Sequence, residues 1–442
     1  MIVRRILLPI HEWLVGRGTF AYLRELEQTQ WWPVGCLREL QQAKLRRLLR
    51  HAYDKCPFYR KRIEQAGVDP DAVSLEQLPS LPTLNKAEIA RHRSAMIDPT
   101  VPGGLHHFTT GGSTGEPLAF EMDRPRQAAD QAARARTRRW FGIGVGEREA
   151  YLWGSPLEQS SQDRIKRARD ALTNQRLFNA FRMTPWEMSR YLEELQRFDP
   201  VHLFGYPSSV ARLVRHAAEI GRPVRNPFLR AVFVTGELFL KSDRAVIEEF
   251  FAVPVADGYG SREGGFIAHQ CPAGSYHVTM ESLIVELLDT AGRPVGPGQD
   301  GEIAVTHLDA YGMPFIRYRT GDLARRSAGV CPCGRGLESL EIIEGRRTDM
   351  LRTTAGGYAH ALSVIYVLRD EPTVGEFKVV QRASLDLDVS IVTKGRFDDA
   401  SAERLCRLLK RQIGDGIEVR VQPVDRIEPD PSGKHRYVVS EC

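Results

Sequence analysis

The sequence predicts an α/β protein in two parts: a large N-terminal region of alternating helices and strands, and a small α+β module at the C-terminus. Three observations predict it. Helical periodicities alternate with short apolar runs from about residue 37 to residue 345. Beyond about residue 345 the elements become shorter and the texture changes. The 442 residues also exceed what one compact core organises. The expected boundaries are 1–345, with 1–35 an amphipathic N-terminal segment, and 346–442.

Each element follows from a local pattern. Leu37, Leu40, Leu45, Leu48, Leu49 and Ala52 share one face of a helix over 37–53. Pro79, Pro82 and a Thr83-Leu84-Asn85 cap lead toward a glycine-rich loop. Residues 124–140 are rich in Ala and Arg and read as a helix. Met188, Tyr191, Leu192 and Leu195 mark another helix, and Val210, Leu213, Val214 and Ala217 a third, after the Gly205-Tyr206-Pro207 turn. Ala231–Thr235 is a short buried strand ending at Gly236-Glu237. Leu283–Leu288 and Gly301–His307 are strands parted by the turn-rich Gly292–Gly298. In the small module, 361–369 and 399–413 read as helices, and Phe377–Gln381, Leu385–Val392 and Ile417–Val421 as strands.

Composition narrows the class. Hydrophobic content of 42% and charged content of 26% are ordinary for a globular protein. A net charge of +5, with acidic residues interspersed, gives no reason to expect a nucleic-acid partner. Seven cysteines, an odd number, do not form a disulfide framework, so a reducing, cytoplasmic setting is expected. Arg4 and Arg5 before Ile6-Leu7-Leu8-Pro9-Ile10 superficially resemble a signal peptide. Pro9, His11 and Glu12 break the apolar run, and no small-residue cleavage site follows. An amphipathic N-terminal helix is the expected reading, and weak contact with a membrane surface stays open.

The stretch Thr109-Thr110-Gly111-Gly112-Ser113-Thr114-Gly115-Glu116-Pro117 can cradle a polyphosphate. Glycines let backbone N–H groups close on an anion, and the hydroxyls add donors. A plain loop reads equally well from these residues alone. The Walker pattern would need Lys-Ser/Thr after the last glycine, where Glu116-Pro117 stands instead, so a phosphate-handling lysine must come from elsewhere. Tyr259-Gly260-Ser261-Arg262-Glu263 can set a carboxylate beside a phosphate-bound Mg²⁺, or form an ordinary turn. Tyr318-Arg319-Thr320-Gly321-Asp322 is expected at a strand end, where Asp322 could accept from ribose hydroxyls. Gly345-Arg346 lies where the texture changes, and Gly433-Lys434 near the C-terminus.

Taken together and in this order, these residues resemble the adenylate-forming superfamily of acyl-CoA synthetases and luciferases. The nearer resemblance is to its phenylacetate–CoA ligase and CapK-like branch. Phe204–Ser209, Thr235-Gly236-Glu237 and Cys331-Pro332-Cys333-Gly334-Arg335 also carry it. The resemblance implies a large N-terminal adenylate-forming domain of mixed sheets and helices, with a small mobile C-terminal domain. It implies activation of a carboxylic acid by ATP to an acyl-adenylate, then thioester formation with coenzyme A. By that resemblance Thr109, Thr110, Gly111, Gly112, Ser113, Thr114 and Gly115 would hold phosphates, and Glu263 would bind Mg²⁺. Asp322 would hold the ribose, and Arg346 would reach phosphate or ribose. Gly236, Glu237, Asp257, Gly258, Tyr259 and Ser261 would belong to the nucleotide and acyl pocket. Lys434 would be the lysine that a closing small domain brings to the α-phosphate, completing catalysis with Glu263.

The resemblance also brings Cys271, His277, Cys331 and Cys333 together as a structural Zn²⁺ site, with buried reduced cysteines as the other reading. Two places depart from the family. Thr348 stands where relatives have a hinge aspartate, with Asp349 beside it. Thr353–Tyr358 also differs from the loop that guides the coenzyme A arm. These departures bear on the thioester half-reaction more than on adenylation. Phe204, Tyr206, Phe233 and Phe266 suit a flat apolar acid, such as the aryl or arylacetic acid that the resemblance implies, and read equally well as ordinary core. Acyl transfer to a carrier-protein thiol, or to an amine or hydroxyl in polysaccharide or secondary-metabolite biosynthesis, is the alternative. A non-catalytic nucleotide-binding relative is another, and a homodimer is open.

Overall fold

The computed structural model describes residues 3–109, 118–153, 173–180, 183–224, 226–236, 239, 241–296, 298–346, 350–354, 358–369, 371–427 and 438–442. Two compact units emerge. The larger takes Met1–Gly111, Leu118–Thr320 and Ala324–Ile342, and the smaller is built on Ile343–Cys442.

In the larger unit the helices are α1 (Leu8–Leu14), α2 (Thr19–Thr29), α3 (Val34–Lys55), α4 (Pro57–Gln65), α5 (Lys86–His92), α6 (Arg124–Arg139), α7 (Pro185–Phe198), α8 (Pro207–Glu219) and α9 (Lys241–Phe251). Its strands are β1 (His106–Thr109), β2 (Ala119–Met122), β3 (Glu149–Trp153), β4 (Gln175–Asn179), β5 (His202–Gly205), β6 (Ala231–Thr235), β7 (Val255–Ser261), β8 (Gly265–Gln270), β9 (Tyr276–Val278), β10 (Leu283–Leu288), β11 (Gly301–His307), β12 (Tyr318–Arg326) and β13 (Ser339–Arg346).

Eleven of these strands form one sheet in the order β10-β11-β12-β13-β9-β8-β7-β6-β5-β3-β4. From β4 through β7 every pairing is parallel, with α7, α8 and α9 in the connections. The direction reverses at β7, which pairs antiparallel with β8. β1 and β2 form a separate hairpin in which Thr109 faces Ala119, so the glycine-rich run connects the two.

Periodicity explains most helices. In α3, Leu37, Leu45, Leu48, Leu49 and Ala52 are fully buried, each leucine contributing about 2 kcal/mol. Leu40 is half-buried instead, and Gln41 takes the inner position, donating to the Leu283 carbonyl at 2.8 Å. Asn85 caps α5 through a reciprocal box with Glu88. Asp123 caps α6 by accepting from the Arg126 N–H. α6 departs from the expectation for an arginine-rich helix, since Arg126 and Arg136 have no exposure. Arg136 donates to Glu281 at 2.6 Å.

The smaller unit has a hairpin of β14 (Met350–Arg352) and β15 (Tyr358–His360), then α10 (Ala361–Arg369), β16 (Val374–Gln381), β17 (Leu387–Thr393), α11 (Asp399–Ile413), β18 (Val419–Pro423) and β19 (Val438–Ser440). Its four-stranded sheet runs β18-β17-β16-β19. Val364, Leu368, Leu405, Leu409 and Ile413 of the helices pack with Phe377, Val379, Val389 and Ile391 of the strands into its own core. Among the described residues no helix is long and apolar enough to cross a membrane.

Candidate active site

The parallel half of the sheet has a crevice-forming edge at the C-terminal ends of its strands, where open α/β sheets bind ligands. Trp153 ends β3, Tyr206 follows β5, and Gly236 follows β6. The Trp153 and Tyr206 rings stack at 4.1 Å and 15°. Gly236 has φ +83°, and a Cβ there would stand 3.2 Å from Tyr206 Cε1. The backbone thus turns left-handed and passes tight against the aromatic pair, which only glycine does at low cost. Thr235 Oγ1 donates to the Gly258 carbonyl at 2.5 Å, joining the ends of β6 and β7. On the same face, Phe204 and Phe233 lie deeper, and Arg134 caps Phe204 at 4.3 Å.

The Glu149 carboxylate lies lower on that face, at the start of β3. It accepts from Arg134 at 3.2 Å and from Arg138 and Tyr151, with His202 Nε2 2.9 Å away. Burial alone would raise its pKa, but the cations beside it hold it well below the usual carboxylate range.

At the switch from parallel to antiparallel, β7 and β8 make a tight hairpin carrying Glu263. Ser261 Oγ accepts from the Gly264 N–H at 2.8 Å and closes the turn. Arg126, fully buried, donates to the carbonyls of Arg262 and Glu263 at 3.1 and 2.6 Å. Its guanidinium also lies over the Phe315 and Phe120 rings at 5.0 and 5.5 Å. The Glu263 carboxylate is nearly buried. Its Oε1 accepts from the Tyr318 hydroxyl at 3.0 Å and lies 3.4 Å from Lys86 Nζ at the start of α5. Arg262 donates to the Thr109 carbonyl at 3.1 Å, so the first residue of the glycine-rich run is tied to the Glu263 hairpin.

Along β7, Asp257 accepts from the Tyr276 hydroxyl at 2.5 Å, and burial pushes its carboxyl up to about 6. Gly258 faces His269 so closely that a Cβ would lie 2.8 Å from the ring. Tyr259 donates to Thr320 Oγ1 at 3.3 Å. Tyr318 opens β12, so the stretch Tyr318–Asp322 stands at a strand end as expected, with Asp322 at its inner limit. It lies inside the nine-residue β12, where Gly321 at φ +85° bends the chain without ending the strand. Tyr259, Gly260 and Ser261 lie on β7, and Arg262, Glu263 and Gly264 form the turn that follows it. Arg346 ends β13, and its side chain lies outside the described residues, as do Thr110, Gly111, Gly112, Ser113, Thr114, Gly115, Glu237 and Lys434.

A second cluster joins two distant segments. The ligand atoms of Cys271, His277, Cys331 and Cys333 all lie within 4.8 Å of one another. The sulfurs of Cys271 and Cys331 are 3.6 Å apart, and Cys333 Sγ is 3.2 Å from His277 Nε2. His277 Nδ1 faces the Leu337 carbonyl at 3.1 Å, which leaves Nε2 for the cluster. Both segments use one turn, Cys-Pro-x-Gly, at 271–274 and 331–334. In each the Gly N–H returns to the Cys carbonyl, at 2.8 and 3.2 Å, with the glycine at φ +87° and +77°. Arg335 lies over the Trp31 and Trp140 rings at 4.9 and 4.5 Å.

Sequence reasoning did not find Lys86, Arg126, Tyr318's role at Glu263, or the Glu149 cluster. The signal for Lys86 was its place at the first turn of a capped helix, which fixes where its side chain starts. The repeated Cys-Pro-x-Gly turn was legible and went unread.

Residues 351–441 match a family model for the CapK C-terminal domain. The phenylacetate–coenzyme A ligase of Thermus thermophilus is 26% identical, with 95% of this chain and 99% of that protein aligned. Protein CapK of Staphylococcus aureus is 22% identical over 96% of this chain and 93% of its own length. A crystal structure of 2-hydroxyisobutyryl-CoA ligase in the postadenylation state superposes with a TM-score of 0.67 at 22% identity, covering 94% of this chain and 92% of that one. The fold is therefore that of the adenylate-forming enzymes. Within that fold, the chain is similar over almost its whole length to phenylacetate–CoA ligase and to CapK, and residues 351–441 match the CapK C-terminal domain.

Proposed function

We propose that the chain is an AMP-forming acid–thiol ligase that activates a carboxylic acid with ATP and passes the acyl group to coenzyme A. A carboxylate oxygen bonds to the α-phosphorus, the bond to the bridging oxygen breaks, and pyrophosphate leaves with the electron pair. The thiol sulfur then bonds to the acyl carbon, and AMP departs. The single observation that carries this reading is the Glu263 hairpin, which holds a nearly buried carboxylate and the start of the glycine-rich run together at the sheet's switch point.

Glu263 suits a Mg²⁺ ion, which binds through one or two carboxylates plus phosphate oxygens and waters. Mg²⁺ there would offset charge on the departing pyrophosphate. By family resemblance Thr109 through Gly115 hold phosphates, Asp322 the ribose, and Lys434 the α-phosphate. Gly236 and the Trp153–Tyr206 stack suit a flat acyl group, which favours an aryl or arylacetic acid. The match of residues 351–441 to the CapK C-terminal domain supports a second reading for the acceptor, a carrier thiol, amine or hydroxyl in place of coenzyme A.

The four-residue Cys/His cluster suits a structural Zn²⁺. Tetrahedral Zn–S bonds of about 2.3 Å place sulfurs about 3.8 Å apart, and Cys271 and Cys331 stand at 3.6 Å. A disulfide would need about 2.05 Å.

The test is pyrophosphate release across a panel of carboxylic acids, with thioester detection when coenzyme A is added. Release with an aryl acid, lost in Lys434→Ala, supports the reading. No acid-dependent release from the wild type sinks it. Release without a coenzyme A ester moves the acceptor to the second reading.

A further inference from the structure

The N-terminal helical segment turns its apolar side outward. Val3–Leu7 forms a π-helical turn that runs directly into α1. Ile6 and Ile10 are each 50% exposed, Trp13 78% and Leu14 68%. These positions, i, i+4, i+7 and i+8, fall along one side of a helix. Glu12, the segment's acidic residue, does the reverse. It is 9% exposed and paired with Arg17 at 2.5 Å. Ordinary surface helices bury the apolar stripe and expose the charge, so this arrangement leaves a contiguous apolar face in need of a partner.

The charge of the same stretch favours one partner. Residues 3–14 carry Arg4 and Arg5 against Glu12, which Arg17 already pairs. An anionic lipid surface attracts such a stretch, whereas a second copy would bring like charges together. Tryptophan is also the side chain that settles at the headgroup boundary, with its ring apolar and its N–H wet. Twelve helical residues reach about 18 Å, short of the roughly 30 Å hydrocarbon core, so the segment would lie in the plane of the membrane.

We propose that residues 3–14 form an interfacial anchor that docks this protein on anionic phospholipid, with Ile6, Ile10, Trp13 and Leu14 entering the headgroup–acyl boundary. The experiment is co-sedimentation of the full chain with vesicles of phosphatidylcholine containing phosphatidylglycerol, and with phosphatidylcholine alone. Binding is expected to be about tenfold weaker without the anionic lipid and to fall with added salt. Trp13→Glu combined with Leu14→Glu should lower the bound fraction at least about tenfold while the melting temperature stays the same. A milder Trp13→Ser variant guards against misfolding and should show an intermediate loss. Sedimentation equilibrium of the same proteins reads the competing occupant. The proposal is overturned if the wild type does not bind anionic vesicles, or if the double variant binds as well as the wild type. It is also overturned if the wild type is a dimer that the double variant dissolves and neither binds lipid.

Discussion

Replacing Cys331 by Ser tests the metal cluster directly. Serine keeps the volume and the Cys-Pro-x-Gly turn, but its hydroxyl stays protonated where a thiolate would bind zinc. The described geometry gives one site per chain, with Cys271, Cys333 and His277 left behind. A ligand present at about a thousand times its dissociation constant stabilises the folded state by about 4 kcal/mol. For a unit of this size that corresponds to a melting shift of about 5–10 °C. Wild-type protein purified without chelator should contain about one zinc per chain, and Cys331→Ser less than about a tenth. Elemental analysis and differential scanning calorimetry read both quantities. Chelator should lower the melting temperature of the wild type by the same amount and leave Cys331→Ser unmoved. Zinc-free wild type with a melting temperature indifferent to chelator would refute the reasoning, as would a Cys271–Cys331 disulfide found by mass spectrometry.

Glu263→Gln keeps an acceptor for the Tyr318 hydroxyl while removing the charge beside Lys86. Adenylation should fall about a hundred- to a thousandfold with little change in melting temperature, measured by pyrophosphate release; an unchanged rate counts against a metal-binding role. Gly236→Ala forces an alanine into φ +83° and pushes its Cβ toward Tyr206. It should cost about 1–2 kcal/mol in denaturant melts and raise the KM for the acid about tenfold with the KM for ATP unchanged. An unchanged acid KM removes Gly236 from the acyl pocket. Asp257 has its carboxyl pushed up to about 6 in the fold, against about 3.9 unfolded. Between those values the unfolded chain gives up its proton first, so Asp257 makes stability fall as pH rises from about 4 to 6. Asp257→Asn should therefore gain up to about 3 kcal/mol relative to wild type at pH 8, and the gain should vanish below pH 4. The same difference at both pH values would show that the effect is packing.

Local pattern and turn chemistry carried the legible part of this protein. Ala231–Thr235, Leu283–Leu288, Gly301–His307 and the small unit's helices stand where their own apolar spacing puts them. The order of the sheet was not legible, because β9, a near neighbour of β8 in the chain, also pairs with β13 across about sixty residues that no local pattern encodes. Buried arginine was also hidden. Arg126, Arg136 and Arg317 look like surface charge in a sequence, yet Arg126 and Arg317 each find several acceptors once the chain has folded and Arg136 pairs with Glu281. At the Cys/His cluster the sequence contains both turns, while their meeting depends on the register of β9 against β13, where His277 faces Ser339.

The grip of Arg126 on the hairpin carbonyls has a consequence for redesign. The Glu263 hairpin hangs from a helix whose own cap, Asp123, is tied to the Tyr311 and Gly312 N–H groups at 2.6 and 2.5 Å. The aromatic stack and Gly236 rise from other elements, the tips of the parallel strands. The two sets nevertheless share α6, whose Arg126 grips the hairpin and whose Arg134 lies over Phe204. A change that shifts this one helix is therefore felt at both sets together, so neither can be rewritten in isolation.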